Sequence, residues 1–88
     1  MKEEKIIFIF ESIHQVLKAE KVLEEAGLPF DIIPVPKEIN PECGMAIESD
    51  PSEKERIGKA LNEANIRIKT AYNRQGSSFA EIDPEVAS

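Results

Sequence analysis

An α+β domain of element order βαββαβ is the fold this sequence predicts, and three observations carry the prediction. Short β-branched and aromatic runs, too brief for helices, alternate with two stretches of helical periodicity. Each helical stretch opens on a recognisable cap. Each strand-like run ends at a proline, a glycine or a polar cluster.

The elements follow in order. Lys5-Ile6-Ile7-Phe8-Ile9-Phe10 is apolar on both faces, as a central strand must be. Ser12 with Gln15 three residues later forms a capping box, each side chain placed to satisfy the other's free amide. Ile13, Val16, Leu17, Leu23 and Ala26 then recur at helical spacing, while Lys18, Lys21, Glu24 and Glu25 take the other face. Gly27 stands where a left-handed C-terminal cap is wanted. Residues 29–36 form the second strand, sent to a sheet edge and ended by Pro34 and Pro36, which cannot donate to a ladder.

Residues 37–44 read as an irregular connection, and Met45-Ala46-Ile47-Glu48 as a short third strand. Asp50-Pro51-Ser52-Glu53 is a helix start, with an Asp N-cap, Pro at the first helical position and Glu to close the box. Ile57, Ala60, Leu61 and Ala64 give the apolar stripe, Asn65 the C-cap, and residues 66–72 alternate as a fourth strand. From Asn73 the chain turns polar around Gly76-Ser77-Ser78. The expectation is one domain over residues 1–72 and a mobile tail over 73–88, with Phe79 and Ile82 docking transiently.

This order suits a ferredoxin-like two-layer sandwich, a four-stranded antiparallel sheet with two helices on one face. Ile6, Phe8, Phe10, Ile32, Ile47, Ile66 and Ile68 then face the helices, which leaves Ile7, Ile9, Ile33, Val35 and Ala46 on the other side. An open face this apolar calls for a homodimer or a partner domain, or for a loop or tail of the chain to cover it.

The bulk numbers exclude several function classes. At 88 residues the chain is one domain with a marginal core. One cysteine supports neither an internal disulfide nor a multi-cysteine zinc site, which fits a reducing cytoplasm. The longest apolar run, Ile6 to Phe10, is far too short to span a bilayer. Eleven basic residues against seventeen acidic, net charge -6, argue against nucleic acid. No glycine-rich phosphate loop or paired-histidine metal motif occurs, so no cofactor is expected.

Cys43 is the candidate functional atom. A lone cysteine is usually a small buried hydrophobe, but this one lies among Pro36, Pro41 and Gly44, outside any apolar periodic segment. Gly44 lets a ligand or partner backbone approach closely. In the expected sheet the end of the first strand and the start of the third share an edge, where the first helix also begins. Cys43 would then lie near Ser12 and the positive end of that helix, which stabilises a thiolate. His14, in the first turn, is the candidate proton acceptor, although a histidine there is usually a plain surface residue. Lys37 is a candidate for positive charge at the site, and Glu42 works in the opposite direction.

These residues carry a resemblance. The run Pro36-Lys37-Glu38-Ile39-Asn40-Pro41-Glu42-Cys43-Gly44, preceded by Ile32-Ile33-Pro34-Val35, resembles small bacterial proteins of the putative selenium/sulfur carrier protein-like family. The opening strand, the segment from Ser12 to Leu23 and Ala26-Gly27 are similar too, so the resemblance spans about residues 5–72. It implies a stand-alone carrier, not an enzyme in its own right, that holds sulfur or selenium on Cys43 as a persulfide or selenosulfide. Donor and acceptor proteins are the partners this implies. The alternative is a non-catalytic interaction module docking through the apolar sheet face with Cys43 incidental. A small-molecule sensor, by fold analogy, is a third reading.

Overall fold

The computed structural model describes residues 4–37, 39 and 44–82. Its elements are β1 (Glu4–Ile9), α1 (Ile13–Glu25), β2 (Asp31–Pro34), β3 (Met45–Ser49), a 3-10 turn (Pro51–Glu53), α2 (Lys54–Glu63), β4 (Thr70–Gln75) and β5 (Ser78–Ile82). All strand pairs are antiparallel, in the spatial order β2-β3-β1-β4-β5.

The α+β class and the two helices stand, but among the described residues the sheet has five strands, not the expected four. The fifth arises in the stretch expected to be a polar tail, of which residues 73–82 finish β4, turn and form β5. Gln75 pairs with Ser78, so Gly76 and Ser77 make a two-residue hairpin turn. Gly76 takes φ 61°, a left-handed value that favours glycine there. Phe79 lies opposite Arg74, and Ile82 opposite Ala71.

The fourth strand is shifted as well. It covers Thr70–Gln75 in place of 66–72, because Ile66 and Ile68 pack into the helix-side core from the connection that precedes it. The Lys69 amide donates to the Ile9 carbonyl at 2.8 Å, fixing where that connection joins β1. At the far end the Glu4 carboxylate accepts from the side-chain amide nitrogens of Asn73 and Gln75, which ties these two residues of β4 to β1.

The division of apolar residues between the faces follows the sequence. Ile6, Phe8, Phe10, Ile47, Ile66 and Ala71 are buried with Val16, Ala19, Leu23, Ile57 and Leu61 of the helices, and Ile32 and Ile68 pack against them. On the other face Ile7, Ile9, Val35 and Ala46 form a second cluster. That face is not open. Ile7 and Ala46 are fully buried within the single chain, and Ile33, Ile39, Tyr72 and Phe79 pack around them. The cover comes from the connection after β2 and from the unexpected hairpin, so the apolar surface expected to call for a homodimer is absent among the described residues. Arg74 and Glu48 close the same face with an ion pair at 2.8 Å, reaching across β1. Among the described residues no helix is long and apolar enough to cross a membrane.

Candidate functional site

One edge of the sheet gathers Ser12, His14, Lys37 and Gly44 of the predicted site residues. β1 runs toward it and α1 starts from it, because the β1–β3 and β1–β4 pairs are antiparallel. Phe8 stands opposite Ile47, and the same register puts Phe10 opposite Met45, the residue after Gly44. The β2–β3 hairpin closes there too. Its last ladder pair is Pro34 with Met45, and beyond it the Val35 amide donates to the Gly44 carbonyl at 3.0 Å. The connection between β2 and β3 is therefore pinned at its base. The α2–β4 connection, with exposed Arg67 and Lys69, arrives at this edge as well.

Gly44 has φ 87°, in the left-handed region, and a methyl group there would meet nothing within 4 Å. Glycine is wanted at this point for its backbone, not because space is short. The turn from connection into strand depends on it. Gly44 is exposed, and so are Ser12, His14 and Lys37.

Ser12 caps α1: its backbone is extended at φ -154° and ψ 167°, and its hydroxyl accepts from the Gln15 amide at 3.4 Å. One arm of the expected capping box is thus formed. The first turn of α1 contains no acidic residue, so the positive end of the helix dipole keeps its field. Among the described residues His14 and Lys37 have no hydrogen bond or ion pair, and their side chains are free to turn toward a ligand. A shallow polar hollow of about 210 Å³, lined by Asn62, Asn65, Ile66 and Arg67, opens where α2 ends at the same edge.

The topology therefore brings Ser12, His14, Lys37 and Gly44 to one edge. Cys43 itself lies outside the described residues, as do Glu38, Asn40, Pro41 and Glu42. No group of three or more His, Cys, Asp or Glu that could hold a metal occurs among the described residues. Sequence reasoning did not find the Val35–Gly44 clamp. A possible signal is the pairing of Val35 with a glycine nine residues on, across a proline-bounded connection.

The comparison with protein families decides the relationship. The family model described as putative Se/S carrier protein-like matches residues 5–73. The chain belongs to this family. A relative from Aquifex aeolicus (strain VF5), named putative sulfur carrier protein, is 30% identical over 77 residues. That alignment covers 85% of this chain and 39% of the relative, so the chain spans well under half of the relative's length. No solved structure matches the chain.

Proposed function

We propose that this member of the Se/S carrier-like family carries sulfur or selenium on Cys43. The observation that carries the reading is the family match itself: it runs through residues 5–73, and Cys43 is the single cysteine of the sequence. A thiol is the side chain that can hold a chalcogen atom through a reversible bond and release it.

The step is a displacement at sulfur. The Cys43 thiolate attacks the outer sulfur of a donor persulfide, R–S–SH. A bond forms between Sγ and that sulfur, the R–S bond to it breaks, and RS⁻ leaves with the electron pair. The product is Cys43–S–SH, with no net oxidation. Delivery is the same displacement run against an acceptor thiolate. Charge therefore gathers on sulfur before and after each transfer, and the site must tolerate an anion.

The surroundings support that requirement. Gly44, next in sequence to Cys43, is clamped at the edge where α1 starts, and the first turn of α1 carries no acid. In this reading the helix start stabilises the thiolate, Gly44 leaves room for the partner's backbone and Lys37 adds positive charge. His14 receives the thiol proton. The partners are a donor carrying a persulfide, or its selenium analogue, and a protein that accepts the chalcogen.

The test is sulfur loading. Incubation with a persulfide donor should add the mass of one sulfur to the intact protein, and a Cys43→Ser variant should gain none. Equal loading of the variant, or no loading of the unaltered chain while its thiol remains reactive to iodoacetamide, contradicts the carrier role.

A further inference from the structure

A second feature, beside the start of α2, plays no part in the carrier chemistry. A cleft of about 710 Å³ lies on the helix side of the sheet, lined by Ile6 of β1, Asn73 of β4, Ile82 of β5 and Pro51, Ser52, Lys54 and Glu55 at the start of α2. Ile82 comes from the fifth strand, which extends the sheet beyond β4. The start of α2 follows the end of β3, so this end of the cleft is opposite the edge where Gly44 stands.

Two lining residues contain atoms that have left water without finding a partner: the Lys54 Nζ and the Asn73 Oδ1. A buried donor or acceptor without a partner is costly and calls for a physical explanation. Solvent does not reach either atom, so a ligand would meet it only after a turn of the side chain, and would then supply the hydrogen bond that the atom lacks. Lys54 offers a charged donor, which matches a carboxylate. Asn73 Oδ1 offers an acceptor, which matches an N–H. Glu55 is exposed at the rim and suits a cationic amino group, while Ile6 and Ile82 supply an apolar floor. Donor, acceptor and floor together describe one chemical class.

We propose that this cleft binds an aliphatic amino-acid unit, with its carboxylate on Lys54, its N–H on Asn73 Oδ1 and its side chain over Ile6 and Ile82. The unit is either a free amino acid or the C-terminal residue of a peptide, which share this chemistry. The inference does not rest on the carrier reading, and a Cys43→Ser variant should bind as well as the unaltered chain.

Titration of the full chain with leucine, N-acetylleucine and leucinamide, followed by amide NMR shifts, tests it. Leucine or N-acetylleucine should move the signals of Ile6, Lys54, Asn73 and Ile82 saturably, with a Kd on the order of 1 mM for so small a ligand. Tighter binding of leucine marks a free amino acid, and tighter binding of N-acetylleucine a peptide end. Leucinamide, which lacks the carboxylate, should bind about tenfold more weakly, and Lys54→Met should weaken leucine or N-acetylleucine about tenfold. No saturable shift up to about 10 mM of any of the three overturns the proposal, as does equal binding of leucinamide. Should Lys54→Met disturb the fold, the comparison of the three ligands on the unaltered chain decides alone.

Discussion

The two helices of this chain start in different ways. α1 begins on Ser12, whose hydroxyl caps the Gln15 amide, and its first turn holds no acid. α2 begins after Asp50-Pro51, with Glu53 in the preceding 3-10 turn and Glu55 in its own first turn. Asp50 was expected to cap it. Its carboxylate instead meets Lys5 of β1 at 2.8 Å, and makes no capping hydrogen bond. The chain enters α2 through the 3-10 turn, where the Glu53 amide donates to the Asp50 carbonyl at 3.0 Å.

The first turn of α1 thus sets no acid against the helix dipole, whereas the start of α2 mixes Glu53 and Glu55 with Lys54 and Arg56. The acid-free start shares its edge with Gly44, and the mixed start lies at the opposite edge. Net charge, -6 for the whole chain, conceals this difference. The local field at an edge, not the sum over the molecule, decides where an anion is tolerated.

Five substitutions can break or sharpen the comparison. The largest effect is expected at Gly44, whose left-handed backbone disfavours any side chain although space is open. Gly44→Ala should lower stability by about 1–2 kcal/mol in urea unfolding, and an effect below about 0.3 kcal/mol would show that the clamp at the base of the connection is loose. Next come the two helix starts. Ser12→Ala should cost about 1 kcal/mol, because it removes a cap. Asp50→Ala should cost no more than about 0.5 kcal/mol, since it removes one exposed ion pair and no cap. The reverse ranking would mean that Asp50 caps α2 in solution.

The smallest effect separates field from stability. Gln15→Glu places an acid in the first turn of α1 and completes the usual form of the capping box, so unfolding should become slightly harder. The same change should raise the thiol pKa of Cys43 by roughly half a unit, measured from the pH dependence of alkylation. Glu55→Gln at the other helix should leave that pKa where it was. Equal shifts from both would mean that the thiol senses overall charge and not the start of α1.

Much of this arrangement could be read from the residues. The alternation through Ile6–Phe10 and Ile32–Val35 separates the two faces because side-chain direction in a strand reverses at every step. The cap at Ser12, the left-handed Gly27 (φ 73°) and Asn65 (φ 61°), and the edge position of β2 follow from local chemistry. What escaped was non-local. β5 contains only Phe79 and Ile82 as large apolar residues, and its pairing is specified by partners on β4 that are themselves polar at Asn73, Arg74 and Gln75. Ile66 and Ile68 alternate as strand residues do, yet they fill the helix-side core before the strand begins. The second face looked open because the residues that cover it, Ile39, Tyr72 and Phe79, lie in segments read as connection, strand end and tail. At the candidate site, the shared edge of Ser12, His14 and Gly44 followed from the element order, whereas the direction of Lys37 did not. The backbone clamp from Val35 to Gly44 did not, because backbone hydrogen bonds leave no mark on residue type.

The measurement that tests the central claim most directly is the pH dependence of Cys43 alkylation in the native protein, read by intact mass. A thiol stabilised as an anion at the start of α1 should titrate clearly below the free value of about 8.5 and react without denaturant. A pKa at or above that value, or reaction only after unfolding, would contradict the account.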